Sequence, residues 1–330
     1  MALHRLGDRL VEGYNRGFRR HDVPSSPPMI ASSEPFALST PIVIGPLIAA
    51  SLFSLGAAAL KRSGRWRIGV WRTTFLCNVF IGAVYLPGIL VGDRPIPWHA
   101  WWQPPVVGLM YLVGQTCTVL ALTRGDISVA GPMLALKILV VALMATFLFG
   151  SPLPAWVWVS VVMATVGVAL LNWGGRPDDR RRAIRTAIVA GIAAIAFASF
   201  DAGLQEWAGE WGSLRFLGIM FAVTALMSLS FVPGFGGRFR DVPKEAWPTV
   251  ALGVLLLASQ SMVFGSTIAL FGHATEANVV YSIRGLFSVI VMIVLGRWVG
   301  SEESKLGSFV LATRSIGAIL MLVSIALLLF

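Results

Sequence analysis

The chain has 330 residues, 56% of them hydrophobic and only 13% charged, against roughly 25% charged in an ordinary soluble domain. With a mean hydropathy of +0.77, it carries more apolar surface than one water-exposed core can bury, which excludes a soluble enzyme. The net charge of +10 comes from 26 basic and 16 acidic residues. In so apolar a chain it reads first as loop charge that orients membrane spans, not as a nucleic-acid footprint. Cys77 and Cys117 lie inside apolar stretches, too few for a disulfide framework, and no Cys/His cluster suggests zinc.

In chain order, residues 1–39 come first. Leu3, Leu6, Leu10, Tyr14 and Phe18 recur at helical spacing among Arg5, Arg9, Arg16, Arg19 and Arg20. Two readings stand: an amphipathic helix lying on a membrane surface, or a basic disordered tail like the PSSPP run that follows. No apolar core of a signal peptide is present there. Ten apolar stretches follow, each near the roughly 20 residues that a helix needs to cross a bilayer: 41–60, 69–91, 104–123, 127–150, 155–173, 186–205, 216–235, 246–271, 277–296 and 306–330. Strand-type alternation is missing, so the expected fold class is an all-α integral membrane protein. Short loops punctuate it at SPLP (151–154), GGRPDD (174–179) and PGFGG (233–237).

The two halves resemble each other. A shift of 147 residues lays Phe53-Ser54-Leu55-Gly56 on Phe200-Asp201-Ala202-Gly203, Ala130 on Ala277 and Lys137 on Arg284. A shift of 146 pairs Leu86-Pro87-Gly88 with Val232-Pro233-Gly234, and 150 pairs Val166-Gly167 with Ile316-Gly317. The expectation is a five-helix repeat over 40–175 and a second over 183–330. Five is odd, so the second repeat enters the membrane inverted. That arrangement is a signature of secondary transporters, with the site between the repeats at the midplane.

On these residues the chain resembles the drug/metabolite transporter superfamily, in its EamA-like branch of ten-span proteins. ISVAGPMLALKILVVALMATFLFG followed by VVMATVGVALL resembles the end of the family's first repeat. ANVVYSIRGLFSVIVMIVLG followed by TRSIGAILMLVSIALL resembles the end of its second. Arg72 stands where the family often has an arginine. The resemblance covers about 41–330, and it implies alternating-access transport of a small molecule, with no cofactor and no enzymatic activity. It is silent on which molecule. Two departures bear on that. Where family repeats commonly carry Glu-Pro in the fourth and ninth spans, this chain has Lys137-Ile138 and Arg284-Gly285. Where those spans commonly end in Gly-Glu, it has Gly150-Ser151 and Gly296-Arg297. A basic site speaks against cationic substrates. It brings the chain nearer to the sugar-phosphate and nucleotide-sugar translocators of the same superfamily.

Four basic residues and one carboxylate fall within the apolar stretches: Arg72, Lys137, Arg284, Arg314 and Asp201. A charge at the bilayer centre costs at least about 2.5–3.5 kcal/mol and marks function by default. Lys137 and Arg284 are expected to face each other and to hold the carboxylate or phosphate of an anionic substrate. The alternative is that they pair with Asp201 or with carbonyls freed at Pro132 and Gly285. Asp201 is a candidate for proton coupling or for a fixed ion pair. Arg72 and Arg314 lie near span ends and are expected to snorkel to the headgroups. Asn78, Tyr111, Gln115, Gln260, Asn278, Tyr281 and Ser282 are candidate substrate contacts, or else interhelical glue. The glutamates are assigned to loops. Trp101, Trp102, Trp156, Trp173, Trp207, Trp211, Trp247 and Trp298 read as an interfacial belt.

Fifteen basic residues fall on one face: Lys61, Arg62, Arg65, Arg67, Arg124, Arg176, Arg180, Arg181, Arg182, Arg185, Arg238, Arg240, Lys244, Arg297 and Lys305. Seven fall on the other, five of them in the tail. The loop count places both termini outside, whereas the family's usual arrangement has both inside. The expected home is a bacterial cytoplasmic membrane. The expected partners are a small-molecule substrate and the lipid bilayer, with no nucleic acid, in a monomer or homodimer. A translocase of a phosphate-bearing lipid and an exporter of amino acids or drugs are the rival transport readings, and a non-transporting scaffold the distant one. The absence of HExxH, GxSxG and paired carboxylates argues against an enzyme.

Overall fold

The computed structural model describes residues 40–63, 66, 68–91, 95–172, 179–299 and 308–329, all within one compact unit, Leu38–Phe330. The tail, and Arg65, Arg67, Arg94, Arg176 and Lys305 of the charge count, lie outside the described residues. Among those residues there are helices and no strands, as backbone in lipid requires.

The helices are α1 (Thr40–Ser63), α2 (Val70–Tyr85), α3 (Gln103–Arg124), α4 (Ile127–Leu143), α5 (Ala155–Leu171), α6 (Arg180–Trp211), α7 (Ser213–Met227), α8 (Trp247–Phe271), α9 (Ala274–Tyr281), α10 (Arg284–Val299) and α11 (Ser308–Leu329). Local chemistry sets many of their ends. Pro104 and Pro248 sit in the first turns of α3 and α8, where a missing N–H costs nothing. Asp179 caps α6 by accepting from the Arg181 backbone N–H at 2.8 Å. Gly212, at φ 80°, ends α6 and lets α7 start at once.

Among the described residues, eight segments are long and apolar enough to cross a membrane. Helix α5 is shorter, at 17 residues. The expected ninth span is not one helix but two, α9 and α10, parted at Ser282–Ile283. There the ladder tightens: Ile283 N–H bonds to Val280 O at 3.2 Å and Gly285 N–H to Ser282 O at 3.1 Å, both i→i−3. Helix α6 outruns its predicted span at both ends, so Arg180, Arg181, Arg182 and Arg185, read as loop residues, belong to its first turns.

Helix α1 packs on α8 and α10, and α6 packs on α3 and α4; α2 packs on α7 and α5 on α11. Small residues permit these crossings. At the α5–α11 contact a Cβ on Gly317 would lie 2.6 Å from the Gly167 carbonyl oxygen, and one on Gly167 would lie 2.8 Å from that of Gly317. No side chain fits there. The core is built from residues such as Phe216, Phe221, Leu204 and Met220, all fully buried, while isoleucines and valines stand exposed on the outer helix faces. Solvation by lipid, not water, explains those exposed apolar faces.

Candidate functional site

Six helices meet at a polar cluster. The Lys137 ammonium, on α4, lies 2.7 Å from Asp201 Oδ2 on α6. Asn278, on α9, donates to the same oxygen at 2.6 Å and to the Ala274 carbonyl at 2.8 Å. Asp201 is fully buried, and its Oδ1 has no hydrogen-bond partner. Lys137 is sandwiched between aromatic rings, 5.5 Å from the Phe197 centroid and 5.2 Å from that of Phe264. Such faces attract cations and exclude water, so the ion pair sits in a low-dielectric pocket.

Arg284 is the other cation. It opens α10 directly after the helix break, and its guanidinium lies 4.6 Å from the Tyr281 ring centroid and 5.1 Å from that of Phe53 on α1. No carboxylate among the described residues lies within ion-pair distance of it. It is within electrostatic reach of both Lys137 and Asp201. Ser54, on α1, donates to the Arg284 carbonyl at 3.1 Å and shares a 3.1 Å hydrogen bond with Ser288. The buried Ser282 hydroxyl, at the break itself, has no partner. With all three groups ionised, Lys137, Asp201 and Arg284 carry one net positive charge.

The other polar candidates fall into two neighbouring groups. Asn78 donates to Gln115 at 3.0 Å, joining α2 to α3; neither lines the apolar cavity of about 540 Å³ bounded by Trp71, Leu112 and Thr116. Tyr111 donates to Ser261 at 3.0 Å, and Ser261 donates to Gln260 at 3.4 Å, joining α3 to α8. Phe197 links this second group to the Lys137–Asp201 cluster, for its ring lies 6.0 Å from Tyr111 as well as 5.5 Å from the Lys137 ammonium.

Several expectations need correction. Arg72 does not snorkel: it is buried, with its guanidinium against Gly237 in the segment before α8. Not every glutamate lies in a loop: Glu276 is buried in α9 and meets His273 at 3.3 Å. His273, with φ 57°, precedes α9, and the Glu276 hydrogen bond pushes its pKa above the ordinary value. Nor is Trp211 part of a belt, since it is buried and donates to Gln103 at 2.9 Å. Phe53, Ser54, Phe197 and Phe264 were not singled out in the sequence. The 147-residue shift already set Ser54 opposite Asp201, a signal that would have found one of them.

Comparison with known proteins adds three findings. Residues 40–173, which run from α1 through α5, match the model of the EamA-like transporter family. The probable 4-amino-4-deoxy-L-arabinose-phosphoundecaprenol flippase subunit ArnE of Pseudomonas fluorescens (strain Pf0-1) is 35% identical over 80 residues, spanning 23% of this chain and 70% of that protein. A protein of known crystal structure superimposes with a TM-score of 0.65 at 20% identity, over 87% of this chain and 96% of that one. At that identity the likeness carries the fold alone.

Proposed function

The chain belongs to the drug/metabolite transporter superfamily, in its EamA-like branch, as an integral membrane transporter and not an enzyme; from that premise we propose that it moves a small anionic metabolite, a carboxylate or a phosphate, by alternating access. The observation that carries the reading is Arg284. A guanidinium set between two aromatic rings, beside a helix break and without a carboxylate partner among the described residues, is a site kept for a charge that arrives from outside. Lys137 is already neutralised by Asp201, so the anion binds at Arg284, and Lys137 supports it from the side. Broken helices at mid-membrane mark substrate sites in secondary transporters, and the unpaired Ser282 hydroxyl and Asp201 Oδ1 offer polar contacts there.

The inverted repeat belongs to this reading. It is supported by the packing, because exchanging α1 for α6, α3 for α8 and α4 for α10 turns the contacts of α1 with α8 and α10 into those of α6 with α3 and α4. It is supported too by the repeat-related glycines Gly167 and Gly317, which meet each other, and by a family match that ends near the boundary expected for the first repeat. We place the transporter in a bacterial inner membrane with its basic face of fifteen residues inward, a reading supported by the loop charge count, which sets both termini outside.

A phosphate-bearing lipid is the second reading, favoured by the flippase subunit among the relatives. Uptake by proteoliposomes tests both. Arg284→Gln should weaken apparent affinity for a transported anion by about 10–100-fold, the worth of one charge-assisted hydrogen-bond pair. Accumulation of soluble anions that ignores this change would overturn the assignment of Arg284. Movement of a lipid-linked phosphate, with no uptake of soluble anions, would favour the second reading.

A further inference from the structure

Away from this site, a cleft of about 600 Å³ opens where the C-terminal end of α3 meets the first turns of α6. Arg124, Arg181, Arg182 and Arg185 line it, over a floor that includes Leu120 and Val189. Arg182 is committed, donating through Nη2 to the Gly125 carbonyl at 2.8 Å. Asp179 is the carboxylate of the cleft and is committed as the cap of α6. Among the described residues, no carboxylate comes within ion-pair distance of Arg124, Arg181 or Arg185. Three guanidiniums thus line one hollow, and among the described residues none of them is ion-paired.

The position of the hollow identifies the ligand. Helix α6 has 32 residues, about 48 Å at 1.5 Å per residue, against a hydrocarbon core of about 30 Å. Its first turns therefore stand at the headgroup level. Ile188, Ile192 and Ile195 are 58%, 45% and 53% exposed, and with Arg181 and Arg185 they recur at spacings of three and four. One helix face thus runs from guanidiniums to bare isoleucine, which is the polarity of a phospholipid in the same orientation. The fold does not demand these arginines. The 147-residue shift that relates the halves sets Phe271 where Arg124 stands and Leu38 where Arg185 stands.

We propose that this cleft binds the phosphate of an anionic membrane phospholipid, held by Arg124, Arg181 and Arg185, with an acyl chain along Ile188, Ile192 and Ile195. Guanidinium forks suit phosphate oxygens, and each basic residue strengthens binding at an anionic surface by roughly fivefold. The site is separate from the transport centre, so it bears on how the protein sits in its membrane and not on what it carries.

The test uses the full chain, purified and delipidated in detergent, with thermal unfolding and native mass spectrometry as readouts. Phosphatidylglycerol should raise the unfolding temperature and remain bound, while phosphatidylcholine should do neither. The triple variant R124Q/R181Q/R185Q should bind phosphatidylglycerol about a hundredfold more weakly, and R185Q alone about fivefold. The single variant keeps the test open if the triple variant fails to fold. R238Q/R240Q, on the same basic face, and R284Q should keep the wild-type shift. An equal loss in R238Q/R240Q would reduce the effect to general surface charge and overturn the proposal. So would a shift as large with glycerol phosphate or inorganic phosphate as with the lipid. So would equal binding of phosphatidylcholine.

Discussion

The two halves of the central cluster start from equivalent positions and end in opposite electrostatic states. In one, Asp201 on α6 meets Lys137 on α4; in the other, Ser54 on α1 meets α10 at Arg284. The 147-residue shift carries Ser54 to Asp201 and Lys137 to Arg284; the cation is kept, as lysine or arginine, and the exchange of aspartate for serine separates the ion-paired half from the other. A neutral hydroxyl can tie down the Arg284 backbone but cannot answer its charge. The lesson is that positions matched in sequence can differ strongly in charge pairing, and the guanidinium left without a carboxylate is where we propose the anion binds.

Removing Asp201 should break the comparison most. Asp201→Ala leaves Lys137 buried without its counter-charge and should cost about 3–5 kcal/mol, read as thermal unfolding in detergent. Removing both charges, in Asp201→Ala with Lys137→Met, should restore most of that loss, because a buried pair and a well-packed apolar pair are often of similar stability. Ser54→Ala should cost only about 1 kcal/mol. If the two single changes were equally costly, the halves would not differ as described.

A charge added to the Arg284 half should sharpen it. Ser54→Asp sets a carboxylate beside α10, within reach of Arg284, and should suppress anion uptake about as strongly as Arg284→Gln while leaving the protein folded. Undiminished uptake in this variant would show that the anion binds elsewhere.

The smallest effect concerns the residues heading the two equivalent helices, Asp126 before α4 and His273 before α9. Glu276 raises the His273 pKa above its ordinary value of 6.5, so the fold favours the protonated ring. That contribution is complete below the unfolded value and is lost as pH rises through the raised folded value. Between about pH 6 and about pH 8 the wild type should lose more of its unfolding temperature than His273→Asn, a residue that tolerates the left-handed φ at this position. Parallel pH profiles would remove the histidine from the account.

Much of this was legible from hydropathy and spacing. The apolar stretches became helices because lipid leaves the backbone no other way to satisfy itself, and Lys137, Asp201 and Arg284 stood out because charges in such stretches are expensive. The break in the ninth span was not legible: 277–296 read as one apolar run, with neither proline nor glycine at Ser282–Ile283 and Gly285 only just beyond. The burial of Arg72 was hidden for a related reason. A residue at a span end snorkels only if no segment folds over it, and here the segment around Gly237 does.

The sequence by itself determined that the chain is a helical membrane protein with internal similarity and buried basic residues, because composition and periodicity are local and lipid enforces them residue by residue. Only the tertiary structure decided which of the two cations matched by the 147-residue shift is ion-paired and which, among the described residues, has no carboxylate partner. Pairing depends on a carboxylate from a distant helix arriving at 2.7 Å from one of them and a serine arriving beside the other. No spacing along the chain encodes that distance.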